Sequence, residues 1–365
     1  MLVEKKVFEL PRLVTQGGRE LRELRMGYET YGRLAPSGDN AVLVCHYFSG
    51  SSHCAGKYRE GDAAPGYWDS IIGPGKAIDT DRFFVVSADT LCNVCPKDPM
   101  VTTVGPASPD PATGRPYGSS FPIVTVRDFV RAQKALLDYL GVRRLHCVAG
   151  PSMGAMQTFE WGAQYPDMVQ RLLPVCGPGL HAQAYFIALV DLWASPILLD
   201  ANWDGGDYYG GPEPLQGLRQ SLQIITITAR SPAWAQSLFG RAWAAEDADP
   251  LSNPGHRYRV ESELEALAAD RSRYADAGHL VQLVRGCRAY DIDEGGSVRS
   301  IRAPTLLIWA RSDTVMFPAY SRQAAEELRK QGTAVQTMEL ESDGGHLDCL
   351  YEIGAAEARI RAFLE

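Results

Sequence analysis

The run Leu145-His-Cys-Val-Ala-Gly-Pro-Ser-Met-Gly-Ala-Met156 is apolar up to a serine held between glycines, then passes into helical spacing. Gly150, Ser152 and Gly154 form G-x-S-x-G, the signature of a strand–turn–helix so sharp that the serine is strained and its neighbours have no room for side chains. Such a turn lifts the Ser152 hydroxyl clear of a sheet and points it at the positive end of the next helix, which the spacing predicts over Met156–Tyr165. A chain with 35 glycines could produce this pattern by chance. What the rest of the chain places around it therefore decides the reading.

Upstream, the N-terminal third alternates as strands: Lys6–Leu13, Leu21–Tyr31, the continuous apolar run Asn40–His46, and Phe83–Ser87. Residues 92–121, rich in Pro, Gly, Asp and Thr, predict a long loop, and a loop of that length in a compact protein usually carries function. Thr125–Leu140 places Val126, Phe129, Val130, Leu136, Leu137 and Leu140 at helical spacing and stops at Gly141. The Ser152 strand follows it directly, as in the β-α-β alternation of a parallel sheet. Leu172–Cys176 reads as a further strand, and residues 181–298 as a largely helical block. Strand patterns resume at Pro304–Ala310 and Val335–Leu340, with helices near Ala319–Lys330 and Leu350–Leu364. The expected architecture is α/β: a mostly parallel central sheet formed by residues 1–180 and 299–365, with residues 181–298 inserted as a helical cap.

Composition narrows the function. The 365 residues carry a formal net charge of -8 and are 45% hydrophobic, which argues against non-specific binding to nucleic acid or to anionic membranes. No apolar run approaches the ~20 residues that span a bilayer. The first ten residues contain no continuous apolar segment of a signal peptide, so a cytoplasmic address is expected. The eight cysteines mostly lie in apolar, strand-like surroundings and read as reduced thiols. Cys92-Asn-Val-Cys95 lacks a nearby second ligand pair, so no metal is expected.

A serine hydroxyl needs a base within hydrogen-bond reach and a third group to hold that base in the right tautomer. His346, in the turn Ser342-Asp-Gly-Gly-His346 after the Val335–Leu340 strand, is the candidate base. Asp313, just past the Leu306–Ala310 strand, is the candidate orienting acid. It could instead cap the helix that follows, and Asp343 is the alternative acid. Asp348 reads as a solvated residue or a cap. The other histidines His53, His146, His181, His256 and His279 read as surface or satisfied core residues. Acyl transfer also needs donors for the developing oxyanion, and these are expected from the backbone N–H groups of Met153 and Phe48, with Ser49 as second choice.

The chain resembles the homoserine O-acetyltransferase (homoserine transacetylase) family of α/β-hydrolases. The resemblance rests on Tyr28-Glu-Thr-Tyr-Gly32, Ser51-Ser-His-Cys-Ala-Gly56, Trp68 through Asp81, Gly118 through Thr125, Ser152-Met-Gly-Ala-Met-Gln157 with Glu160-Trp161, and Asn202 through Tyr209. It implies a helical cap over the serine, a covalent acyl-enzyme, and a homodimer formed through cap helices. The departures lie where the family reads its substrate. Family members follow the histidine with an aspartate that meets the amino group, where this chain has Leu347. An arginine and a tyrosine of the cap align with Leu222 and Ala229, and Pro151 and Ala155 replace two elbow glycines. A pocket lacking those polar groups should not hold a zwitterion. The expectation is therefore a carboxylic-ester hydrolase for short-acyl esters that needs no cofactor and no metal, with a small-molecule ester as its partner. The alternative is an acyl-CoA-dependent O-acetyltransferase acting on homoserine, serine or another alcohol. A non-enzymatic binding protein on the same fold is a third reading.

Overall fold

The computed structural model describes residues 1–293 and 297–365. Its eight main strands are β1 (Lys6–Val14), β2 (Glu20–Tyr31), β3 (Ala41–Cys45), β4 (Phe84–Ala88), β5 (Leu145–Pro151), β6 (Leu172–Val175), β7 (Thr305–Ala310) and β8 (Val335–Leu340). They form one sheet in the order β1-β2-β4-β3-β5-β6-β7-β8. β1 pairs with β2, and β2 with β4, antiparallel; all later pairings are parallel. β3, β4, β5, β6 and β7 are mostly apolar and buried at every position but His146, because helices or loops cover both faces of a parallel sheet.

Side chains alternate across the sheet, which divides the core in two. Leu43, Val148 and Leu307 face one apolar cluster, whereas Val44, Ala149 and Ile308 face the other. The first cluster takes in α1 (Val126–Tyr139), α2 (Met153–Gln164) and α8 (Pro318–Lys330). Among the described residues, five α-helices lie between β6 and β7: α3 (Ala184–Leu199), α4 (Leu215–Thr228), α5 (Pro232–Phe239), α6 (Arg259–Ser272) and α7 (Ala277–Arg288). Residues of α3, α4 and α7, with Ala268 of α6, join the same cluster. The second cluster is closed by Trp68, Ile71, Ile72 and Ile78 and by the C-terminal segment.

Two expectations are corrected. The helix after Ser152 begins at Met153, three residues earlier than the spacing suggested, because the turn places Ser152 itself at the N-cap. The single C-terminal helix expected over Leu350–Leu364 is broken into α9 (Asp348–Tyr351), a 3-10 turn at Ile353–Ala356 and α10 (Glu357–Leu364). The Trp68 indole N–H takes the Cys349 carbonyl at 2.9 Å, the acceptor that the next helical turn would need. Gly354, a poor helix former, follows.

The long 92–121 loop is held from both ends of a buried histidine. His279 Nδ1–H donates to the Asn93 carbonyl (2.8 Å), leaving Nε2 to accept from the Ala107 N–H (3.3 Å). Burial lowers the pKa of His279, which suits this neutral tautomer. Cys92 is buried and Cys95 partly buried. Among the described residues no group of three or more His, Cys, Asp and Glu side chains could hold a metal.

Candidate active site

Ser152 sits between β5 and α2 with φ 59° and ψ -118°, a conformation that L-residues avoid and that costs about 1–3 kcal/mol. Its N–H donates to the Val175 carbonyl of β6 at 2.8 Å, which pins the turn to the sheet. The flanking glycines are required by contact. A Cβ at Gly154 would lie 2.1 Å from the Cys45 carbonyl oxygen, and one at Gly150 would lie 2.7 Å from the same atom. The methyl of Ala155, where the family has glycine, is accommodated because residue 177 is a glycine: a Cβ there would come within 2.7 Å of it. Gly154→Ala is therefore expected to push the end of β3 away from the turn and to cost about 3 kcal/mol of stability, read as a lower urea midpoint. An unchanged midpoint would mean that this turn has slack.

Asp313 follows β7, and both oxygens of its buried carboxylate are engaged. Oδ1 accepts from the Val315 and Met316 N–H groups (2.9 and 2.8 Å), and Oδ2 from His346 Nδ1–H at 2.7 Å. That leaves His346 Nε2 to accept the Ser152 hydroxyl, also at 2.7 Å. Burial pulls the pKa of His346 down, but the Asp313 charge and hydrogen bond outweigh it and raise the imidazole to about 9. The alternatives separate cleanly. Phe317, not Asp313, is the N-cap of α8. Asp343 is exposed and paired with Arg311 at 3.0 Å. Asp348 is neither solvated nor a helix N-cap: it is buried and accepts from the Gly344 N–H at 2.8 Å, closing the turn that presents His346.

That turn and the Asp313 loop both dock on the junction between α4 and α5. Leu347 N–H donates to the Ala229 carbonyl (3.3 Å), and Thr314 Oγ1 donates to the Thr228 carbonyl (3.1 Å). Gly345, at φ +92°, passes so close that a Cβ would lie 2.5 Å from Ser231 N. Phe48, at the start of the loop after β3, packs edge-on against Trp193 of α3. Neither the Phe48 nor the Met153 N–H donates to a protein acceptor among the described residues.

One group was missed by reading the chain for catalytic types. The buried carboxylates of Glu29 and Asp89 share the Lys5 ammonium at 3.5 and 3.2 Å. Glu29 also accepts from Tyr31 and Tyr58 (both 2.6 Å) and pairs with His53 (3.1 Å), while Asp89 accepts from Ser52 N–H (2.7 Å). Burial alone would raise the Glu29 pKa, but His53, Lys5 and the two phenols hold it below its ordinary value. The network anchors the loop that carries Phe48. Its one legible signal was an acidic residue inside the apolar half of a strand.

Beside His346 opens a cavity of about 310 Å³, lined in part by Tyr47, Ser49, Ala229, Arg271 and Leu347. Leu222, the third position where this chain departs from the family pattern, is buried in the core.

A family model described as the alpha/beta hydrolase fold matches residues 40–353. The homoserine O-acetyltransferase of Symbiobacterium thermophilum is 42% identical, covering 97% of this chain and 92% of that protein. That of Methanococcoides burtonii is 36% identical over 96% and 71%. Among solved structures, esterase E22 superposes with a TM-score of 0.94 at 43% identity, covering all of both chains. Homoserine O-acetyltransferase from Bacillus anthracis gives 0.95 at 33%, covering 100% of this chain and 98% of that one. Likeness of this extent runs through the sheet, the inserted helices and the elbow together, and the protein belongs to the homoserine O-acetyltransferase family of α/β-hydrolase enzymes.

Proposed function

We propose that this enzyme is a carboxylic-ester hydrolase for short-acyl esters, with residues 1–180 and 299–365 as its catalytic core and residues 181–298 as a helical cap. Ser152 Oγ attacks the ester carbonyl while its proton passes to His346 Nε2, and Asp313 holds the imidazolium that forms. The oxyanion is met by the Met153 and Phe48 N–H groups. Collapse of the tetrahedral adduct breaks the bond to the alcohol, which leaves with the proton from His346. Water then gives one proton to His346 as its oxygen bonds to the acyl carbon, and collapse of this second adduct breaks the bond to Ser152 Oγ, which takes that proton from His346 as the carboxylic acid leaves. No step calls for a cofactor or a metal.

The observation that carries hydrolysis over transfer to homoserine is the lining of the cavity beside His346. Among the described residues it contains no carboxylate, and Leu347 and Ala229 face it. The ammonium of an amino-alcohol acceptor would be desolvated there without a counter-charge, at a cost of several kcal/mol. The likeness to esterase E22 supports the same reading. The second reading, O-acetyl transfer from acetyl-CoA, is favoured by relatives up to 42% identical that bear that name. A panel of short 4-nitrophenyl esters, run beside acetyl-CoA with homoserine or serine, separates the two. Ester turnover without CoA is expected, and substantial homoserine-dependent release of CoA would overturn the proposal.

Residue 347 should control that partition. Leu347→Asp supplies the missing counter-charge and is expected to lower kcat/KM for apolar esters by about ten-fold while diverting acyl-enzyme to homoserine. The check is chromatography of acetate against O-acetylhomoserine. An unchanged product ratio would remove residue 347 from the acceptor site.

The same reading includes a homodimer and a cytoplasmic address. α3 leaves Tyr185, Leu192 and Leu199 exposed, an apolar face that a second copy would cover. Sedimentation at micromolar concentration should give twice the 40.0 kDa chain mass. Among the described residues no helix is long and apolar enough to cross a membrane.

A further inference from the structure

Two guanidinium groups line the cavity beside His346, and among the described residues no carboxylate accompanies them. Arg271, in the last turn of α6, is partly buried and donates through Nη1 to Thr226 Oγ1 at 2.9 Å. It makes no ion pair among the described residues. Burial pulls its pKa down, and burial also pushes the pKa of its neighbours Tyr47 and Cys95 up, so neither supplies it with a negative charge. Arg230, just past α4, lies 4.8 Å from the Trp234 ring centroid and 5.2 Å from that of Tyr351. The two rings hold the group in place, and its N–H donors meet no protein acceptor among the described residues.

Two more deeply shielded cations are paired: Lys5 with Glu29 and Asp89, and Arg127 with Glu160. A guanidinium brings five N–H donors in a planar fork that matches a carboxylate. Leaving one desolvated without an anion is costly unless a ligand supplies the anion. Tyr47 and Ser49, which line the cavity, flank Phe48, and Leu347, which also lines it, follows His346, so the cavity is walled in part by the chain neighbours of the proposed oxyanion donor and base.

From this we infer that the cavity is a carboxylate subsite formed by Arg271 and Arg230, so that the preferred ester bears a carboxylate on its acyl or its alcohol half. The inference rests on the hydrolase reading and names its substrate class. A volume of about 310 Å³, near the lower end for ligand pockets, suits a short half-ester and not a long chain.

The test compares kcat/KM for two matched pairs: mono-4-nitrophenyl glutarate against 4-nitrophenyl valerate, and 4-acetoxybenzoate against phenyl acetate. In the wild-type enzyme one anionic ester should exceed its neutral counterpart by about ten-fold, and which pair responds tells which half carries the charge. Arg271→Met should reduce that ratio by about ten-fold through KM, and Arg271→Lys should retain part of it. Ratios at or below one in the wild type, or a ratio that Arg271→Met leaves unchanged, would overturn the subsite; a merely structural arginine would lower both members of a pair alike. If no ester is turned over, the hydrolase reading fails instead. Protection of Ser152 from a fluorophosphonate by glutarate then decides: protection lost in Arg271→Met upholds the subsite, and no protection in the wild type overturns it.

Discussion

Ser152→Ala is expected to lower kcat/KM for a short 4-nitrophenyl ester by about five orders of magnitude while the protein stays folded. The side chain removed makes one hydrogen bond, to His346, and alanine bears the positive φ at a cost close to that of serine. What disappears is the only atom placed to form the acyl bond in the proposed mechanism. Steady-state kinetics with thermal melting and fluorophosphonate labelling would read all three consequences. Retained turnover would assign the chemistry to another residue.

The second large effect is that of Asp313→Asn, expected to cost about four orders of magnitude in kcat. The amide cannot accept from His346 Nδ1–H with the same strength, and it removes the charge that raises the imidazole pKa to about 9. Because acylation needs neutral His346, kcat/KM of the wild type should climb with pH through the range between 6.5 and 9. In Asp313→Asn the residual activity should reach its plateau at lower pH, since burial then acts on the imidazole without opposition. A wild-type profile already flat from pH 6 would contradict the assignment. The stability sign follows from the same shift. The folded pKa lies above the unfolded value of 6.5, so the pairing contributes fully below that value, and its contribution is lost as pH rises through about 9.

How much of this was legible along the chain depended on range. β8 was bounded by pattern alone, and the apolar runs of β3 and β5 were unmistakable, because a strand buried on both faces must be apolar at every position. Ser152 was marked by glycines that local contact demands, and Asp313 and His346 by their places after strands. Asp348 was misread because its partner, the Gly344 N–H, is brought to it by a turn that sequence spacing does not specify. The C-terminal helix was misread because Trp68, some 280 positions away, takes its carbonyl.

As a cluster, Lys5, Glu29 and Asp89 could not be read from the chain, for a related reason. Acid and base residues far apart in sequence look solvated until the sheet order sets β2 beside β4 and stacks them in one buried cluster. The two arginines of the cavity carried no signal along the chain, because only the packing of α4 against α6 brings them to one cavity.

By itself, then, the order of residues determined the parallel sheet, the strained serine and the succession of serine, aspartate and histidine after strands, since each follows from periodicity or from contacts within a few positions. The tertiary structure alone decided that the serine, histidine and aspartate meet at hydrogen-bond distance, that helices inserted between β6 and β7 support the turn carrying the histidine, and that a cavity is lined by two arginines that make no ion pair among the described residues. Those features depend on distances between segments brought together by folding, and the free energy of a charge is set by what surrounds it in space.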